Sequence, residues 1–235
     1  MRGVAAAGLA LDGVADGVEC ADAVGSGGVQ VAPEPGTSGQ GRVIRPAWQH
    51  QIMDEKTEGQ LRVIRKVIAV MQAAGISAWL FGGWGLDARI GRITRQHGDV
   101  EFWVERIHAE RSKAALAGAG ATALTTQPPA EACEFTWDDV AFSTAYFDRQ
   151  PDGSSIQLLG RFSDWLFPPG SFGDEHVTLD GTPVLAMSVA GMLAMKEQFP
   201  HLRNGRPWRQ KDIADIEMLR ALASGKRTDG PIGAV

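Results

Sequence analysis

Apolar residues recur at helical spacing from Glu55 to Ala74. Leu61, Ile64, Val67, Ile68 and Met71 fall on one stripe of a helix, and Gly75 follows as its stop. The pattern then changes. Ile76 to Phe81 is a short apolar run that predicts a buried strand, and Trp84 to Ile90 predicts a short helix. Val100 to Val104 predicts a second core strand, and Arg106 to Ala119 a helix closed by Gly118 and Gly120. Six β segments follow, at Ala121–Thr125, Cys133–Trp137, Val140–Phe147, Ser154–Leu159, His176–Leu179 and Val184–Ala186. Two helices end the pattern, Ser188–Phe199, with Ser188 as N-cap, and Trp208–Ala223. The order predicts an α+β fold, a mixed β-sheet flanked by helices with a small C-terminal helical part. The boundary falls near Met187, giving a sheet domain over 53–187 and a helical part over 188–224.

Residues 1–47 have neither period. They are rich in Gly, Ala, Val and Ser and carry Pro33, Pro35 and Pro46, a composition that buries too little surface to offset its ordering entropy. A disordered tail is expected there, or a chain whose translation starts at Met53.

The 235 residues, 44% of them hydrophobic, suffice for a sizeable core. A net charge of −5 argues against a nucleic-acid partner. Cys20 and Cys133 have no metal-ligand spacing and make no disulfide framework, which fits a reducing cytoplasm. No apolar run approaches the ~20 residues that span a bilayer, so no membrane partner is expected.

The candidate chemistry lies between the first two strands. Asp99 and Glu101 are one residue apart in an extended segment, so their side chains project from the same face. Their setting among Val100, Phe102, Trp103 and Val104 makes ionisation costly unless a cation sits between them, and Mg²⁺ prefers carboxylate oxygens with substrate phosphates. Gly82-Gly83 stands at a strand-to-helix turn, where phosphate oxygens can approach backbone N–H groups.

These residues carry a resemblance. Gly82-Gly83-Trp84-Gly85-Leu86-Asp87, followed by Gly91-Arg92-Ile93-Thr94-Arg95-Gln96-His97-Gly98-Asp99-Val100-Glu101, resembles the antibiotic nucleotidyltransferases. The aminoglycoside 2''-adenylyltransferases and lincosamide nucleotidyltransferases are nearest in pattern, with Glu101 in place of the second Asp. The resemblance runs from about Met53 to about Ala223 and implies a nucleotidyltransferase-type sheet. It also implies that Asp99 and Glu101 bind Mg²⁺ and that Gly82 and Gly83 cradle the triphosphate of ATP. Lys196 and Lys211, in segments similar to the family's Met-Lys and Lys-Asp-x-x-Asp motifs, are implied as triphosphate contacts. Asp212 and Asp215 are expected in ion pairs, and Asp87 in a structural hydrogen bond to Arg95 or His97.

One departure stands out. Counting back from Asp152-Gly153, the family's third carboxylate falls on Ser143, and serine is no general base at neutral pH. If Asp138-Asp139 is a two-residue hairpin turn, Glu134 lies opposite Ser143 and brings a carboxylate to the same face.

Charge is uneven along the chain. Glu131 to Asp180 holds ten acidic residues against Arg149 and Arg161, whereas Lys196, Arg203, Arg206, Arg209 and Lys211 make the following stretch basic. An acidic lobe suits a cationic small-molecule acceptor, and a basic one suits nucleotide phosphates. The expected function is Mg²⁺-dependent transfer of AMP from ATP to a hydroxyl of an aminoglycoside-type antibiotic. The alternatives are a non-catalytic nucleotide- or ligand-binding protein on the same fold, and a nucleotidyltransferase acting on a protein.

Overall fold

The structure is a computed structural model, described here over residues 54–124, 132–157, 165–202 and 207–226. The expected tail at 1–47, Thr125, and the end of the Ser154–Leu159 segment lie outside the described residues.

Helix α1 (Glu55–Ala73) forms where the apolar stripe predicts it, and Leu61, Ile64, Val67, Ile68 and Met71 are all buried. Asp54 caps its start, accepting a hydrogen bond from the Thr57 backbone N–H at 2.8 Å. At its end Gly75, at φ +63°, donates to the Gln72 carbonyl while Ile76 donates to Met71. That paired arrangement satisfies the last carbonyls of the helix and needs the left-handed conformation glycine adopts freely.

Strand β1 (Ala78–Leu80) leads directly into α2 (Gly82–Ile90), so the two glycines are the first residues of the helix itself. Then come β2 (Val100–Glu105), a 3₁₀ turn at Arg106–His108, α3 (Ala109–Gly118) and β3 (Thr122–Leu124). A hairpin of β4 (Ala132–Trp137) and β5 (Val140–Arg149) follows. Two-residue strands β6 (Ser155–Ile156) and β7 (Leu166–Phe167), then β8 (His176–Leu179) and β9 (Thr182–Ala186), complete the sheet. Helices α4 (Val189–Leu202) and α5 (Gln210–Ala223) close the described chain. Ser188 caps α4 as expected, its Oγ accepting from Gly191 N–H at 3.1 Å.

The sheet order is β3-β4-β5-β2-β1-β9-β8, with β6 and β7 extending from β5. The sheet is mixed: β2 runs parallel to β5 and β1 parallel to β9, while the remaining pairs are antiparallel. Alternation divides the apolar residues between two cores. Val100, Phe102 and Val104 of β2 pack with Phe135, Phe142 and Tyr146 beneath α1 and α3. Trp103 faces the other way and joins Trp79, Phe81, Phe147 and Phe167 under Met192, Met195 and Leu219 of α4 and α5. Glu101 shares parity with Trp103, so it opens on the side of the C-terminal helices.

Candidate active site

β2 and the head of α2 build the site together. Phe81 N–H donates to the Glu101 carbonyl at 3.2 Å, which seats the start of α2 against β2. Gly82 has φ +62°, and a Cβ there would lie 2.6 Å from Glu101 Oε2. A Cβ on Gly83 would lie 2.1 Å from His97 Nδ1. A side chain on Gly82 would need a left-handed backbone and displace the Glu101 carboxylate, and one on Gly83 would collide with the His97 imidazole. Phe81 supplies no side-chain cap, so the first backbone N–H groups of α2 have no capping acceptor from that residue. Asp99 is exposed just ahead of β2, and Glu101 is partly buried.

The electrostatics of this spot are uncompensated. Burial, and then the neighbouring Asp99 charge, push the Glu101 carboxyl up to about 8 against the opposing influence of Lys196, Lys211 and Arg209. The charges at the start of α5 thus act on Glu101, with Lys211 exposed and the Arg209 side chain 43% exposed. Two neighbouring carboxylates, one of them held toward its neutral form by the charge of the other, fit a divalent cation. Among the described residues no group of three or more His, Cys, Asp or Glu gathers to hold a metal. A two-carboxylate site leaves the other positions to phosphate and water, which is the set Mg²⁺ takes in nucleotide enzymes.

Lys196 is placed differently from its neighbours. It is buried, and its ammonium donates to Asp212 Oδ1 at 3.2 Å and Asp215 Oδ2 at 2.7 Å. Asp212 also accepts from Arg209 Nε at 2.7 Å, and Asp215 from Arg95 Nη2 at 3.1 Å. Burial alone would raise the Asp212 carboxyl, but the Arg209 hydrogen bond and the Lys196 and Arg209 charges outweigh it and hold it down to about 2. The expected ion pairing of Asp212 and Asp215 is what the structure shows.

The hairpin register is the one read from Asp138-Asp139. Both residues have positive φ, 50° and 61°, as a type I′ turn requires, and Trp137 pairs with Val140 and Glu134 with Ser143. Ser143 is in turn the partner of Glu101 on β2. Glu101, Ser143 and Glu134 therefore form one row across three strands on one face, the outer two about 10 Å apart at the usual strand spacing. The serine lies between two carboxylates.

Asp87 is fully buried and holds the segment before β2. It accepts from Thr94 N–H at 3.1 Å and Thr94 Oγ1 at 2.6 Å, and its Oδ2 lies 2.6 Å from His97 Nε2. Of the two partners expected for it, His97 is the one found. Arg95 Nη1 lies 2.9 Å from His97 Nδ1, and because arginine only donates, Nδ1 accepts and Nε2 carries the proton given to Asp87. Both ring nitrogens are engaged, so His97 is a positioning residue. Trp165 and Phe167 are buried in the second core, not presented to a ligand. The acidic segment is less acidic in space than along the chain: Asp138, Asp148, Glu175 and Asp180 pair with Lys66, Arg106, Arg89 and Arg65.

The chain is similar to known proteins in sequence and in fold. The profile of the aminoglycoside-2''-adenylyltransferase family matches residues 63–219, and the chain belongs to that family. Over 43 residues it is 40% identical to a 2''-aminoglycoside nucleotidyltransferase of Escherichia coli and 38% identical to one of Klebsiella pneumoniae. That stretch is 18% of this chain and spans 24% of each relative's length. Among solved structures, ANT(2'')-Ia in complex with adenylyl-2''-tobramycin superposes with a TM-score of 0.58 at 19% identity, over 71% of this chain and 90% of that one. Lincomycin-bound LnuA, a lincosamide antibiotic adenylyltransferase, gives 0.51 at 20% identity, over 71% and 98%. At these identities the superpositions establish the fold.

Proposed function

We propose that this chain is a nucleotidyltransferase that moves AMP from ATP to a hydroxyl of a small cationic acceptor of the aminoglycoside type. The observation that carries this reading is Glu101 against Gly82 at the head of α2, which has no side-chain cap, with the Asp99 charge acting on Glu101. Asp99 and Glu101 would hold Mg²⁺, which when bound neutralises phosphate charge and polarises the attacking oxygen. The Gly82 and Gly83 N–H groups receive triphosphate oxygens, and Lys211 contacts them from α5. Lys196 contributes charge from behind, through the cluster that holds α5. The acceptor oxygen attacks the α-phosphorus in line, the bond to the bridging oxygen breaks, and pyrophosphate leaves. Glu134 takes the acceptor's proton from its place in the row beside Ser143. Nucleotide and acceptor meet in the cleft between the sheet domain and the helical part, and the two cysteines suit a cytoplasmic site of action.

Transfer of label from α-³²P-ATP to a panel of aminoglycosides and lincosamides, with Mg²⁺ and with EDTA, tests the reading. A labelled, Mg²⁺-dependent antibiotic product is expected; no product with any acceptor rejects it. Ser143 beside Glu101 supports a second reading, a member that binds nucleotide without transferring it. Nucleotide binding without product would select that one.

A further inference from the structure

Arg95 touches both halves of the molecule. Its Nη1 donates to His97 Nδ1 at 2.9 Å and to the Gln96 carbonyl at 3.2 Å, while Nη2 donates to Asp215 Oδ1 and Oδ2 at 3.2 and 3.1 Å. The same Nη2 lies 3.2 Å from where a Cβ on Gly83 would be, so the guanidinium packs on the second residue of α2. On the far side Asp215 and Asp212, both fully buried, share Lys196, and Asp212 accepts from the Arg209 backbone N–H and its guanidinium. Contact therefore passes unbroken from the glycine head of α2 to the first turn of α5. Among the described residues Arg95, Lys196 and Arg209 meet Asp212 and Asp215 in this cluster. A planar fork serves three partners at once, which a lysine ammonium at the same point would not reproduce.

We propose that Arg95 is a positioning residue that clamps α5 to the head of α2 and so sets Arg209 and Lys211 against Glu101. Its role toward nucleotide rests on the transferase reading, but the clamp itself does not. The sequence separation of 120 residues between Arg95 and Asp215 makes this a tie between the sheet part and the helical part. Asp215, fully buried, is the member whose pairing depends on both Arg95 and Lys196.

Hydrogen exchange read by mass spectrometry, without nucleotide, tests the clamp in the full chain. In Arg95→Met, amides of residues 209–216 exchange about tenfold faster, while those of α1 and β2 keep their rates. Lys196, buried in the wild type, becomes open to acetylation, with exposed Lys211 as the internal standard. Asp215→Asn, which keeps the side chain's shape, gives the same local loosening, and the double variant is no looser than either single one. Arg95→Lys restores only part of the protection. Unchanged exchange at 209–216, exchange raised evenly across the sheet, or additive effects in the double variant would each overturn the proposal. If Arg95→Met fails to fold, Asp215→Asn and Arg95→Lys carry the same comparison. In a second arm, the Kd of a non-hydrolysable ATP analogue with Mg²⁺ rises about tenfold in Arg95→Met. A wild type that binds no analogue rejects the transferase reading and leaves the exchange result to decide the clamp.

Discussion

Two acidic clusters stand on the same side of the sheet, and they are charged in opposite ways. At Glu101, burial and the neighbouring Asp99 charge win, and the carboxyl is pushed up to about 8. At Asp212 and Asp215, Lys196, Arg209 and Arg95 supply the counter-charge, and Asp212 is held down to about 2. The first cluster is short of a cation and open at Asp99; the second has its cations built in and its carboxylates out of solvent. A carboxylate left without its counter-charge is the one suited to recruit a metal, and a carboxylate already paired is the one suited to hold helices together.

The largest expected contrast comes from removing a charge at the open cluster. Asp99→Asn should bring Mg²⁺-dependent transfer to background and remove the effect of Mg²⁺ on ATP affinity, with the fold intact. Calorimetry with ATP in Mg²⁺ and in EDTA measures this. An affinity that still responds to Mg²⁺ as in the wild type would take the metal away from this pair.

Next in size is the far end of the row. Glu134→Gln should lower transfer by the ~10²–10⁴ typical of losing a general base. Ser143→Asp in that background should recover part of it, because the carboxylate returns to the same face one strand nearer Glu101. No recovery, with the protein folded, would detach Glu134 from the chemistry and favour the binding-only reading.

The closed cluster should respond in stability. Lys196→Met leaves Asp212 and Asp215 buried with their shared cation gone, and removing one partner of a buried ion group costs about 3–5 kcal/mol. Glu101→Gln removes a carboxylate that opposes its surroundings, so it should change unfolding free energy by less than about 1 kcal/mol or raise it. Urea unfolding of the two variants in EDTA compares them directly. Equal losses would erase the distinction between the clusters.

What the sequence makes legible follows the range of the interactions. Alternation and turn chemistry act over a few residues, so the α1 stripe, the Asp138-Asp139 turn and the 134–143 pairing can all be read from the chain. The pair Asp99 and Glu101 is local in the same sense. Lys196 is not: as one residue in a motif it suggests a phosphate contact, yet its ammonium meets carboxylates 16 and 19 residues away on another helix. Similarly, the acidic run from Glu131 to Asp180 loses much of its charge to Arg65, Lys66, Arg89 and Arg106, brought in by the sheet order. Strand β7 has two residues, too few to show a period. Gly83 marks a close approach, but only the folded chain shows that His97 makes it.

The smallest expected effect is a pH dependence confined to the closed cluster. A carboxyl whose pKa is lower folded than unfolded binds fewer protons in the native state. Its contribution is therefore complete above the ordinary value of 3.8 and is lost as pH falls toward about 2. A shift of that size corresponds to about 2 kcal/mol, reduced toward about 1 because the partner Arg209 is 43% exposed and screened by solvent. Asp212→Asn cannot titrate, so the stability difference between wild type and variant should narrow by about two thirds of that amount between pH 5 and pH 2.5. Glu101 does not add to this acid loss, because its shift has the opposite sign: an elevated carboxyl retains its proton in the native state and favours folding at low pH. Urea unfolding of both proteins across the interval measures the narrowing. Parallel curves for the two would show that Asp212 is not held charged by Arg209 and Lys196, and the contrast between the clusters would then rest on Glu101 alone.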